Sequence, residues 1–190
     1  MMNHIDVSRV LRQTLSCDLY SNLITRPTGA AVRDQIEQLL EHARGGDVEL
    51  TVIDFSHVAM IDFSCADEVV AKLLLRYATD DAPRDAYFVF RGVSDDHWDA
   101  IEAVLERHGL ALVLDADDGP RLVGVISEDE RRTWETVNRL GWADANTTAE
   151  ELAADLDQVR HALDTLWRRR LVRYVGGRYV AVGGGIPRDR

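Results

Sequence analysis

Val48-Glu49-Leu50-Thr51-Val52-Ile53-Asp54-Phe55-Ser56-His57-Val58-Ala59-Met60-Ile61-Asp62-Phe63-Ser64-Cys65-Ala66-Asp67-Glu68 reads as a strand, a loop and a helix start in quick succession. Val48 to Ile53 is apolar and rich in β-branched residues, the pattern of a strand buried on both faces in a parallel sheet. Asp54 closes it. Asp62 and Ser64 offer side-chain oxygens where a helix should begin, and Val69, Val70, Leu73, Leu74 and Tyr77 follow at helical spacing. A central strand thus hands its loop to a helix start, the part of an open α/β sheet where partners and ligands are usually met.

Upstream, Ile5 to Leu15 alternates loosely and predicts one or two edge strands. Val32, Ile36, Leu39 and Leu40 predict a helix over Ala30 to Ala43, capped by Thr28 and stopped by Arg44-Gly45-Gly46-Asp47. Downstream, Thr79 to Pro83 reads as a loop, and Ala86 to Phe90 and Leu110 to Leu114 as buried-type strands. Between these strands Ser94 caps a helix with the stripe Trp98, Ile101, Val104 and Leu105. Asp115 to Pro120 is an acidic turn before a last strand, Leu122 to Ile126. The order of helices and strands predicts an α/β sheet with parallel segments and right-handed crossovers.

At these residues the chain resembles the STAS domain of anti-sigma factor antagonists and sulfate transporters, over roughly Thr25 to Val113. Ser64-Cys65-Ala66-Asp67-Glu68 is closer still to a bacterial STAS-like branch with a Ser-x-Ala-Asp-Glu motif. The resemblance implies a protein partner, such as a kinase or an anti-sigma factor. It points to Asp54, Ser56, Asp62, Phe63, Ser64, Cys65, Asp67 and Glu68 as the residues that meet it. In the antagonists the residue after the loop Asp is a phosphorylated Ser or Thr, with a Gly two positions beyond. Phe63 and Cys65 stand there instead, so the usual phosphoacceptor is absent and Ser64 is the nearest substitute.

A second unit begins at Ser127. Ser127-Glu128-Asp129-Glu130 fits a capping box, and Trp134, Val137, Leu140 and Trp142 offer an apolar face. Asn146 to Leu156 reads as a cap and a short helix. From Asp157 a third helix turns Val159, Leu163, Leu166 and Trp167 inward. Leu171 to Val175 and Arg178 to Val182, joined by Gly176-Gly177, read as a hairpin. Over Ser127 to Val182 this resembles a winged helix-turn-helix, an α+β unit that implies DNA binding and commonly dimerises, which leaves a homodimer open. In that family the third helix enters the major groove and the wing touches phosphates. Gln158, His161, Thr165, Arg168 and Arg169 avoid the apolar stripe, and Arg178 lies on the wing. The expected division is therefore residues 1–126 and 127–190, each with its own apolar stripes and each able to fold alone, ending in a mobile tail from Gly183.

Charge divides the same way. Residues 1–127 carry 11 basic and 22 acidic side chains, whereas 128–190 carry 11 of each. An acidic first unit disfavours nucleic acid as its partner. Asp157 to Arg190 holds eight Arg against three Asp, which leaves DNA to the third helix and wing. The bland alternative for that basic face is protein docking without DNA. A third reading gathers Asp54, Asp62, Asp67 and Glu68 around Mg²⁺ as a small phosphotransfer or hydrolytic enzyme. That chemistry wants a basic residue at a later strand end, and the single lysine, Lys72, lies in a helix. Capping explains Asp54 and Asp62 more simply, and Asp67 and Glu68 suit the first turn of a helix. Cys17 and Cys65 are expected as thiols. Cys65 is either a buried small side chain or, if exposed at the helix start, a thiol of lowered pKa. The scattered histidines have no ligand spacing, so no metal or cofactor is expected. Nothing at the N-terminus reads as a secretory signal and no apolar run would span a membrane. The expected protein is cytoplasmic and non-enzymatic, a regulator in which a protein-binding α/β unit is joined to a winged helix.

Overall fold

The computed structural model describes residues 2–16, 21–42, 49–77 and 85–184. The expected stops at Arg44 to Asp47 and Thr79 to Pro83, Cys17, and the tail beyond Gly184 lie outside the described residues. Strand β1 (Met2–Asp6) pairs in parallel with β3 (Glu49–Asp54), β3 with β5 (Ala86–Arg91), and β5 with β6 (Ala111–Ala116). An antiparallel strand, β7 (Gly119–Gly124), closes the order β1-β3-β5-β6-β7. The acidic turn thus shrinks to a tight hairpin at Asp117 and Asp118. The central reading of the sequence, an α/β sheet with parallel segments, holds.

The segment Ile5 to Leu15 differs from the expected edge strands. Asp6 accepts hydrogen bonds from the backbone N–H groups of Ser8 (2.9 Å) and Arg9 (3.2 Å), and this cap turns the chain into helix α1 (Val7–Leu15). Helix α2 (Arg26–His42) likewise starts before the expected Ala30, with Pro27 in a first turn that needs no proline N–H. A two-residue strand β2 (Asn22–Leu23) pairs in parallel with β4 (Met60–Ile61), a small ribbon beside the main sheet. After β4 the helix begins as expected, as α3 (Phe63–Ala66), widens into a π-helical stretch (Asp67–Ala71) and ends as α4 (Lys72–Tyr77). Helix α5 (Asp95–His108) follows β5, and its Ser94 cap includes the His97 ring.

These helices cover one face of the sheet. Ile5, Ile53, Phe88, Phe90 and Leu112 from the strands meet Leu11, Val32, Ile36, Val70, Leu73, Ile101 and Leu105 in one core. His97 closes a corner of it: its Nε2–H donates to the Val58 carbonyl (2.9 Å) and its Nδ1 accepts from Ser94 N–H (3.2 Å). Both ring nitrogens are engaged in the neutral form, and burial holds the pKa below the ordinary histidine value of 6.5. The unfolded chain takes up this proton as pH falls through 6.5, while the folded chain resists it. Stability is therefore fully present above the ordinary histidine value and is lost as pH falls towards the lowered one. Chemical denaturation from about pH 7.5 to about pH 5.5 should show a decline of up to about 1.4 kcal/mol per pH unit that His97→Gln flattens. An equal slope in both proteins would assign the decline elsewhere.

The remainder of the chain covers the other face. Helix α6 (Glu128–Leu140), begun by the expected box of Ser127 and Glu130, is followed by α7 (Ala145–Leu152), α8 (Leu156–Arg168) and the hairpin β8 (Val172–Val175) and β9 (Arg178–Ala181). Between α6 and α7, Ala143 bridges antiparallel to Tyr179. Trp134, Val137, Val159, Leu163, Leu166, Leu171 and Val182 form one core with Tyr87, Val89, Ala111, Val113 and Leu122 of the sheet. The second core thus crosses the boundary at 126/127. Two tryptophans depart from expectation. Trp142 lies beyond the end of α6 and is 51% exposed, and Trp167 stands one residue off the buried stripe of α8 and is 39% exposed.

Candidate functional site

The parallel register brings Asp6, Asp54, Arg91 and Asp115 into one row at the C-terminal ends of four neighbouring strands. Each is engaged within the chain. Asp54 accepts from Ser56 N–H (2.8 Å) and from His4 Nε2 (2.8 Å), and Arg91 grips Asp115 through Nε (2.8 Å) and Nη2 (2.7 Å). Burial works against the Asp54 carboxylate, but the hydrogen bonds from Ser56 and His4 keep its pKa below the usual value. Ser56 itself is exposed. Its loop is pressed against Gly92, whose φ of +67° suits glycine and where a Cβ would lie 2.2 Å from Ser56 Oγ.

Asp62 is the N-cap expected of it. It accepts from Cys65 N–H (2.8 Å), Ser64 Oγ (2.8 Å) and Thr25 N–H (3.1 Å). These bonds hold its pKa down against partial burial. Cys65 lies beneath, its thiol donating to the Thr25 carbonyl (3.0 Å). Burial, then the neighbouring Asp62 charge, pushes this thiol up to about 12, so of the two readings of Cys65 the buried one holds. Phe63, in contrast, is 38% exposed, and Met60, three residues earlier in β4, is 53% exposed.

Asp67 and Glu68 are nearly buried, yet both are ionised by their surroundings. Burial raises their pKa values and is outweighed by their partners: hydrogen bonds from Arg26 and His108 on Asp67, and Lys72, Arg26 and Arg33 on Glu68. One nitrogen, Arg26 Nη1, lies 2.7 Å from both Asp67 Oδ2 and Glu68 Oε1, and His108 Nε2 lies 2.7 Å from Asp67 Oδ1. Arg33 and Lys72 reach Glu68 directly. The π-helical stretch places the two acids under α2, whose Gly29 comes so near that a Cβ would meet Cys65 Cα at 2.9 Å.

The four carboxylates read as a Mg²⁺ cluster are therefore each taken up by partners within the chain, Asp54 and Asp62 on separate ones and Asp67 and Glu68 on a shared Arg26. Among the described residues no three His, Cys, Asp or Glu side chains are arranged to hold a metal ion. Sequence reading missed the cationic half of this site. The helical spacing of Glu68 and Lys72 carried a local signal, whereas Arg26, Arg33 and His108 arrive by packing of distant helices.

The expected DNA-binding residues also divide. Gln158 and His161 are exposed on α8, and with Thr165 they border a cleft whose far wall is Ser127, Asp129 and Glu130 at the start of α6. The Thr165 hydroxyl donates to the His161 carbonyl (3.0 Å). Arg168 is exposed but pairs with Asp164 in its own helix (2.9 Å), as Arg160 does with Asp157 (3.2 Å). Arg178 lies 3.8 Å over the ring of Trp142. Arg169 turns away from this surface to Glu130 Oε1 (3.1 Å) and the carbonyls of Val125 (2.6 Å) and Gly109 (3.4 Å). Arg170, with φ of +60°, continues this clasp: it pairs with Asp85 (2.8 Å), donates to the Tyr77 carbonyl (3.3 Å) and lies 5.6 Å from the Tyr87 ring centre. No helix among the described residues is long and apolar enough to cross a membrane. Comparison of the chain with protein-family models, curated proteins and solved structures finds no match in any of the three.

Proposed function

We propose that this protein is a non-enzymatic regulatory adaptor, in which a STAS-like α/β layer binds a protein partner at the start of α3 and carries a winged helix on the opposite face of its sheet. The observation that carries this reading is the contrast at the strand ends. Asp54, Asp62, Asp67 and Glu68 are all satisfied within the chain, while the large apolar side chains of Met60 and Phe63, in the same strand-to-helix segment of sequence, face solvent. Such a surface suits docking better than chemistry, which needs polar groups free to converge on a reacting atom. The winged-helix reading is supported by the order helix, bridge, helix, helix, hairpin, with Ala143 joined to Tyr179.

DNA binding is the second reading, favoured by the uncovered Gln158 and His161 on α8. Against it, Arg160 and Arg168 are neutralised within α8, Arg169 is turned into the clasp, and Asp129 at the start of α6 faces Gln158 and His161 across the cleft. Phosphate contacts supply most non-specific affinity, so a face without net positive charge should bind duplexes weakly. Two measurements decide. The full chain, used as bait, should retain a cellular protein that Phe63→Ala releases without a change in melting. Fluorescence anisotropy with mixed duplex DNA at low salt should give a Kd weaker than about 10 µM. Retention indifferent to Phe63→Ala would move the docking site, and tighter binding lost on Arg168→Ala would favour the DNA reading.

A further inference from the structure

We propose that the surface around Phe63 takes an acidic segment of a partner protein that carries an apolar anchor residue, an inference that rests on the adaptor reading. The carboxylates here lie under the surface, with the side chains of Asp67 and Glu68 only 7% and 3% exposed. Their cations stand above them. Arg26 is 48% exposed and uses a single nitrogen, Nη1, for both acids, which leaves its other N–H donors to solvent; Lys72 is 42% exposed. Arg107 lies 5.6 Å from the Phe63 ring centre and has no carboxylate partner among the described residues. A partner arriving at Phe63 therefore meets the Arg107 guanidinium over the ring, and Arg26 and Lys72 offer further donors above the Asp67 and Glu68 carboxylates in the helix that Phe63 begins, even though the group is close to neutral when its buried acids are included. Bidentate carboxylate contacts to such guanidinium groups are among the stronger hydrogen bonds available at a surface.

The remainder of this unit is acidic, and the exposed carboxylates of α5 lie close by. Asp95, Asp99, Glu102 and Glu106 fall on a stripe about 100° around the helix from Arg107, and Asp96 lies about 20° from it but about three turns away, at 3.6 residues per turn. Their field disfavours an acidic partner at long range but decays over a Debye length of about 8 Å at physiological salt. The segment is thus confined to the patch itself, a short acidic stretch flanking one Leu, Phe or Met against Phe63 and Met60.

The test pans a random peptide display library on the full chain and measures the enriched peptides, synthesised singly, by anisotropy against the wild type, Phe63→Ala and Arg107→Glu. Both substitutions change exposed side chains, and melting curves check that each variant is folded. Enriched peptides should place Asp or Glu around an apolar residue, and each variant should weaken them at least about tenfold, close to the loss of one good charge-assisted contact. Peptides that depend on Phe63 but lack acidic residues, or that bind Arg107→Glu as well as wild type, overturn the proposed chemistry and leave the docking reading standing. If no enriched peptide depends on Phe63, the docking reading fails with it.

Discussion

A chain ending at Ile126 is expected to lose the cooperative melting of the full protein. Its sheet would turn Tyr87, Val89, Ala111, Val113 and Leu122 to water, all of which the second half buries. At about 1.5–3 kcal/mol for each of the four large side chains and less for alanine, the loss is about 6–12 kcal/mol, comparable with the whole stability of an ordinary domain. The clasp of Arg169 and Arg170 on Val125, Gly109, Tyr77 and Asp85 is lost as well. Calorimetry of residues 1–126, 127–190 and the full chain checks this. The first fragment should bind a hydrophobic dye and melt broadly, and the second should show no transition of its own. A sharp melt of residues 1–126 within a few degrees of the full chain would support two independent units.

Glu68→Gln should be the most damaging single substitution at the site. It keeps the size of a side chain that is 3% exposed but removes the charge on which Arg26, Arg33 and Lys72 converge. Removing one partner of a buried ion pair costs about 3–5 kcal/mol. Arg26 and Lys72 are nearly half exposed and can turn to water, so the expected loss is about 2–3 kcal/mol, or roughly 5–10 °C in Tm for a chain of this size. Lys72→Ala should cost less than about 1 kcal/mol, because two arginines remain on the acid. Equal melting of Glu68→Gln and wild type would mean that the cations do not depend on Glu68.

The central strands β3, β5 and β6, the helix start at Asp62 and the hairpin at Gly176-Gly177 were legible because each rests on short-range rules: apolar runs, a capping carboxylate, a two-residue turn. Asp6 was readable by the same capping logic but was masked by the loose alternation around it. The basic partners of Asp67 and Glu68 were not readable, since Arg26 and His108 reach them across some 40 residues of chain. Nor was the shared second core. A parallel strand covered on both faces looks the same in sequence whatever covers it, so Tyr87, Val89 and Val113 predicted burial without saying that α6, α8 and Val182 would provide it. Trp142 and Trp167 were misplaced for a related reason, because apolar character alone does not show which side of a helix or turn meets the sheet.

The way the second core closes also bears on how the protein is made. Its sheet side is finished at Leu122, but its cover is complete only with Val182, 60 residues later along the chain. At about 5–20 residues per second, synthesis takes roughly 3–12 s to travel that distance, long compared with the collapse of a chain of this size. Throughout that interval the growing chain cannot complete the cover over Tyr87, Val89, Val113 and Leu122, so part of this apolar surface stays open to whatever binds exposed hydrophobic segments during synthesis.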